Sequence, residues 1–362
     1  MSWVLAFVGF SLLVVLHEAG HFGAAKAVGM RVEKFSLFFP PTLFSKKIGE
    51  TEYAIGAIPA GGYVKISGMN PDADLPDEVR TRAYYAQPVW KRVVVIFAGP
   101  AVNLLLAVLL LFVFFWAVGA PEASTSEVGL VEKGFPAESR LQSGDRLISI
   151  DGKSGDPAVL SKQIRSHRCP GKPEAGCRAS EPASVVVERD GRRRSFELTP
   201  VYDADSPGGA RTRLGFGFAP GPRVTQPIGE AATTSLDRSW FIVEQTLGLP
   251  ARLLDAERRK EVSGVVGSYE FTRQTILSDL ADVLPILAII SLSLAIINLF
   301  PFLPLDGGHI FWAVVEKVRG KPIPFSVMER AGVIGFLLLI PLFLIGLTND
   351  IGRISGDGFQ VR

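Results

Sequence analysis

The sequence predicts a multi-pass α-helical membrane protein of about four transmembrane helices, with an α+β domain inserted between the second and third spans. Three observations predict it. Mean hydropathy is +0.28 over 362 residues, too apolar for an ordinary soluble enzyme. Charged residues make up only 20% of the chain, and they cluster, so long uncharged runs alternate with polar stretches. One of those stretches, from about Ala120 to Asp282, is long enough to hold a small domain. The formal net charge of +2 lacks the basic excess expected of a nucleic-acid binder, and no nucleic-acid partner is expected.

The first span is read over Trp3–Val28. Val4 to Leu16 carries no charge, and His17 and Glu18 then break the run. A secretory leader would place Lys or Arg ahead of its apolar run; none stands there, so the segment reads as a span. The second span, Val93–Gly119, is uncharged throughout. The third covers about Val283–Leu305 and the fourth about Ala331–Leu347. Lys and Arg crowd the loop between spans one and two (Arg31, Lys34, Lys46, Lys47, Lys65, Lys91) and the loop between spans three and four (Lys317, Arg319, Lys321, Arg330). By the positive-inside rule both loops are cytoplasmic, and the termini and the long insert face outward.

Within the insert, Glu127–Val131 reads as a strand. A Gly-Phe-Pro-Ala turn and short helix follow, and then a strand around Ile148 and Ile150. Ser184–Arg189 and Ser195–Thr199 form a hairpin about Asp190-Gly191. This order resembles a PDZ domain over about Ser126–Tyr202. Cys169 and Cys177 lie in a polar loop before the hairpin; they are either a disulfide favoured by an oxidising compartment or two surface thiols. Pro227–Leu277 reads as amphipathic helix, placed at the membrane interface or packed on the inserted domain. The expected regions are therefore 1–119, 126–202, 203–282 and 283–362.

The chemistry begins at His17-Glu18-Ala19-Gly20-His21. Residues four apart share a helix face, so two imidazoles can grip one Zn2+ at about 2.0–2.1 Å. Zinc lowers the pKa of water from about 15.7 to about 7, and Glu18 beside it is the candidate general base. Two histidines and a carboxylate inside an apolar span are costly to bury, which favours a functional reading over incidental residues. A catalytic zinc needs a third protein ligand. Asp306 is the best candidate, at the end of the third span beside helix-breaking prolines; the alternative is a helix cap. His309 is a weaker ligand, and His167 lies on the outward side. By the charge rule His17 and Asp306 both lie at cytoplasmic ends of their spans, so they meet at similar depth.

With these motifs on one chain, the sequence resembles the bacterial site-2 proteases: His17-Glu-x-x-His21 in the first span, Asn298…Leu305-Asp-Gly-Gly308 in the third, and a PDZ-like insert between spans two and three. The resemblance covers essentially the whole chain. Gly56–Ile66 is similar to the family's membrane-associated β-hairpin, and Phe97–Asn103 to its second-span motif, with Asn103 read as a packing residue. Gly264-Val-Val-Gly267 loosely matches a Gly-Pro-x-Gly motif, with Val265 in place of proline. The resemblance implies a zinc-dependent intramembrane endopeptidase of a bacterial inner membrane. Its substrates would be single-pass transmembrane proteins trimmed by an upstream site-1-type protease, such as anti-sigma factors, or remnant signal peptides. Lipid is the other expected partner. An edge near Tyr53, Ile55 or Gly62 would capture the unwound substrate by strand addition, unless the segment is a plain surface hairpin. Asn298 would either bond substrate or oxyanion, or pack between helices. A PDZ adaptor without catalysis is the competing class, and it has no use for Glu18.

Overall fold

Helix α1 (Ser2–Ala27) has no proline to interrupt it and buries Ala6, Leu13, His17, His21 and Ala25, one face at near four-residue spacing. Trp3, Val4, Val8 and Leu12 on its other faces are exposed, a pattern that suits lipid and not water. The computed structural model describes residues 2–70, 74–122, 124–204, 206, 210–249, 255, 259, 262 and 264–355. The chain divides into two compact units: 1–117 with 226–361, and 118–225.

In the first unit, α1 is followed by two long antiparallel strands, β1 (Val32–Ile48) and β2 (Thr51–Ile66). The pair is folded back on itself. Phe35 faces Val64 on one side and Tyr53 on the other, and Tyr53 in turn faces Lys46. The sheet therefore runs, in order, 62–66, 34–37, 52–55, 44–48. Expecting a hairpin over Gly56–Ile66 captured only the last part of this arrangement. Gly56 sits where a Cβ would meet the Phe39 carbonyl oxygen at 2.1 Å, so the fold-back needs a glycine there.

Helix α2 (Val89–Val113) continues into a π-helical turn, Phe114–Val118. It packs on α1 and on two later helices, α6 (Val283–Asn298) and α7 (Asp306–Arg319). Arg92 of α2 donates both guanidinium nitrogens to the Glu316 carboxylate of α7, at 3.0 and 2.7 Å. Helix α6 ends at Asn298, short of the expected Leu305, because Pro301 and Pro304 cannot continue it. The chain crosses 299–305 without helix and restarts at Asp306. Helix α8 (Phe325–Ser355) outruns the expected Ala331–Leu347 at both ends.

Two further helices lie before α6. Helix α4 (Ile228–Leu247) packs on α2 and α6, burying Ala231, Ser235, Ser239 and Thr246 and exposing Leu236, Trp240 and Phe241. Ser239 satisfies its buried hydroxyl by donating to the Ser235 carbonyl at 2.7 Å. Helix α5 (Val265–Ser278) is capped from α8: the buried Asp350 carboxylate accepts from the backbone N–H of Gly264 at 3.0 Å and of Gly267 at 2.7 Å. Among the described residues, four helices are long and apolar enough to cross a membrane: Ser2–Ala27, Val89–Val118, Leu280–Asn298 and Ser326–Gly352.

The second unit is α+β. Strand β4 (Val128–Val131) pairs with β10 (Phe216–Phe218), and β5 (Arg146–Ile150), β6 (Ala183–Arg189) and β7 (Arg192–Leu198) form an antiparallel sheet. Helix α3 (Pro157–Ser166) starts on an Asp156 side-chain cap and packs Leu160 and Ile164 into a core with Ile150, Val185 and Val187. Strands β8 (Val201–Asp203) and β9 (Arg211–Arg213) pair with each other, as do β3 (Ala120–Pro121) and β11 (Arg223–Val224). The unit therefore runs well past Tyr202, and 211–224, expected to belong to the helical connector, is largely strand. Cys169 and Cys177 are joined in a disulfide.

Candidate metal centre

Helix spacing sets the first two side chains. His17 and His21 lie one turn apart on the buried face of α1, at 6% and 7% exposure. His21 Nδ1 lies 2.8 Å from the Val95 carbonyl oxygen of α2. A carbonyl only accepts, so Nδ1 carries the proton and Nε2 presents its lone pair. The ring reaches that carbonyl because residue 99 is glycine: a Cβ there would stand 2.3 Å from His21 Nε2.

Asp306 arrives from the far end of the chain. The irregular 299–305 stretch turns back on the start of α7, where a Cβ at Gly307 would meet the Leu299 carbonyl oxygen at 2.2 Å. This places Asp306 Oδ2 3.2 Å from His17 Nε2 and 3.3 Å from His21 Nε2, while the two imidazole Nε2 atoms are 3.3 Å apart. Asp306 Oδ2 is buried and receives no hydrogen bond.

Three ligand atoms this close, each presenting a lone pair, repel one another unless a cation or a proton lies between them. Tetrahedral ligands at zinc distances would be about 3.3–3.4 Å apart, which is the triangle seen here. The residues present therefore fit a zinc ion with one position left for water or substrate. Among the described residues this is the cluster of His, Cys, Asp and Glu that could hold a metal. His309 is outside it. His167 belongs to the other unit, where its Nε2 lies 2.8 Å from the Asp151 carboxylate.

The cluster opens on a cavity of about 400 Å3. Glu18, Asn298, Gly62 and His309 line it, so four of the remaining candidates come together around the three donors. Glu18 lies against β2: its carboxylate faces the Val64 backbone N–H, and a Cβ at Gly62 would be 3.1 Å from its Cγ. In the sheet, segment 62–66 is paired among the described residues on one side only, by 32–37. Tyr53 and Ile55 do not reach the cavity. Each is flanked on both sides, Tyr53 by Phe35 and Lys46 and Ile55 by Leu37 and Phe44, so neither offers an open edge. Phe39, Met69 and Leu294 are among the apolar residues of the wall; apolar residues without periodicity gave no signal of this in the sequence.

Comparison with known proteins agrees with this chemistry. The profile of peptidase family M50 matches residues 5–342. A candidate zinc metalloprotease of Brucella suis is 30% identical, the match covering 94% of this chain and 92% of that protein. Another, from a Nostoc species, is 31% identical over 98% of this chain and 97% of its own length. Zinc metalloprotease Rip1 of Mycobacterium tuberculosis is 29% identical over 97% and 96%. A buried two-histidine, one-carboxylate triangle, helices fit to cross a membrane and a family match over nearly the whole chain lead to one conclusion: this protein belongs to peptidase family M50 and is a membrane-embedded zinc metalloprotease of the site-2 type.

Proposed function

We propose that this enzyme cuts the transmembrane segments of single-pass membrane proteins in a bacterial inner membrane, as the second cut of regulated intramembrane proteolysis or in clearing remnant signal peptides. The observation that carries this reading is the donor triangle, walled by apolar helices and set beside a one-sided sheet edge.

His17, His21 and Asp306 hold the metal. When bound, zinc polarises the scissile carbonyl and acidifies water. Glu18 takes the proton as water adds to the peptide carbon, and hands it to the leaving amine. The Asn298 amide N–H2 donates to the oxygen that gains charge. A transmembrane helix hides its own peptide bonds, so the substrate must be drawn out straight. Segment Gly62–Ile66 pairs with the extended chain and presents it to Glu18; Tyr53 and Ile55 back that edge from within the sheet. The basic loops put this end of the site toward the cytoplasm, with both termini and the inserted unit outside. That unit is read as PDZ-like on its β4, β5, α3, β6–β7 order, acting as a filter against bulky outer domains.

The test uses wild type and Glu18→Gln in proteoliposomes with a single-pass substrate. Wild type should cut within the span and Glu18→Gln should not, with zinc content equal. Equal cutting of a soluble, unstructured peptide and of the membrane-embedded span would overturn the intramembrane assignment.

A further inference from the structure

Two buried polar side chains, one on α1 and one on α2, carry atoms without hydrogen-bond partners among the described residues. One is His17 Nδ1. The other is the whole side-chain amide of Asn103, both Oδ1 and Nδ2, on a residue 0% exposed within an apolar span. An unpaired amide in such a place is costly in a bilayer, so a residue merely filling space would be better served by leucine.

Helix register brings the two to one level. Lys91 Nζ donates to the Val28 carbonyl; one turn up α2, Val95 accepts from His21; and Gly20 packs against Ala98 and Val102. Numbers fall on α1 as they rise on α2, so the helices run antiparallel in this contact. Stepping one turn further leads from His21 to His17 on α1 and from Gly99 to Asn103 on α2. Side chains on a helix lean back toward its N-terminus, which for Asn103 is the direction of Gly99. On its outer side Asn103 is fixed by Ser291 of α6, whose hydroxyl donates to its backbone carbonyl at 2.9 Å.

We infer that Asn103 is a positioning residue of the metal centre: its Oδ1 accepts the His17 Nδ1 proton through one buried water. This rests on His17 being a zinc ligand through Nε2. The arrangement repeats, one turn on, what the Val95 carbonyl does for His21. Each imidazole then has its proton fixed on Nδ1 and its lone pair aimed at the ion, which is how metal-binding histidines are ordinarily oriented. A backbone carbonyl serves His21 and a side chain serves His17.

The test is Co2+ binding by purified apoenzyme in detergent, read from the d–d spectrum, for wild type, Asn103→Leu and Asn103→Asp, each also in a His17→Ala background. Leucine keeps the volume and removes the acceptor; affinity should fall about 10- to 100-fold. Aspartate keeps the acceptor and should stay within a few-fold of wild type. In the His17→Ala background the leucine change should cost nothing more. Unchanged affinity in Asn103→Leu, equal losses with leucine and aspartate, or the same loss without His17 would each overturn the inference. A measurement on wild type needs no variant: with 15N-labelled histidine and bound zinc, the His17 Nδ1 proton should exchange slowly with water. Rapid exchange there would also overturn it. Loss of Glu18-dependent cleavage with metal affinity intact would be a failure of the proposed function and not of this assignment.

Discussion

At the scale of single residues, the centre depends on small atoms as much as on donors. A methyl group at position 99 would occupy the place of the His21 ring. Gly99→Ala should therefore lower zinc content after dialysis against a weak chelator, although residue 99 donates nothing to the metal. Asp306→Ala should lower it further, since it removes one of three donors; equal zinc in wild type and Asp306→Ala, by elemental analysis, would reassign the third ligand. His17, Glu18 and His21 were legible in the sequence because four-residue spacing on one helix fixes their relation. Asp306 was legible through the cost of its burial. The acceptor role of Val95 was not, because any backbone has carbonyls and only the α1–α2 register selects one.

At the scale of elements, the α2–α7 junction holds Asp306 in place through Arg92 and Glu316. Arg92 is nearly buried and Glu316 keeps 25% side-chain exposure. Arg92→Met leaves Glu316 without its partner, and the loss should fall toward the lower end of about 3–5 kcal/mol, read by thermal unfolding in detergent. The reverse pair, Arg92→Glu with Glu316→Arg, should recover part of it. In the inserted unit, the eight-residue separation of Cys169 and Cys177 makes the disulfide worth about 2–3 kcal/mol on a chain-entropy account, so reductant should lower that unit's unfolding midpoint. The spans were legible from hydropathy alone, within a few residues at most ends. The folded-back sheet was not: alternation says that a segment is strand, and it does not say that one strand has neighbours on both sides. Strands β9 and β11, two or three residues each, are too short to show any period.

At the scale of the whole molecule, charge ties the ends of distant segments. Glu50, in the turn between β1 and β2, accepts from Arg82 at 2.7 and 2.8 Å and from Lys26 at 2.6 Å. These partners, Arg82 foremost, hold its carboxyl at about 2, below the usual 4.5. A carboxyl lowered in the folded state stabilises it fully above about 4.5, and the contribution drains away as pH falls toward about 2. The acid limb of thermal stability should therefore be shallower in Glu50→Gln than in wild type over that window, with little difference between them in slope near neutral pH. The general architecture, spans with an inserted α+β unit, was plain from composition because lipid and water select such different residues. The limits of the insert were not, since its last strands return from beyond a stretch that reads as connector.

The separation of the metal donors along the chain has a consequence for how the enzyme is made. A ribosome that has finished α1 and α2 has delivered both imidazoles, yet the carboxylate follows His21 by about 285 residues. Until α6 has entered the bilayer and the proline-rich stretch behind it has folded back, the nascent polypeptide lacks a complete cage. With that ligand set, newly inserted copies should be inert toward neighbouring proteins during biogenesis, and hydrolytic competence should switch on only when the last third of the molecule is in place.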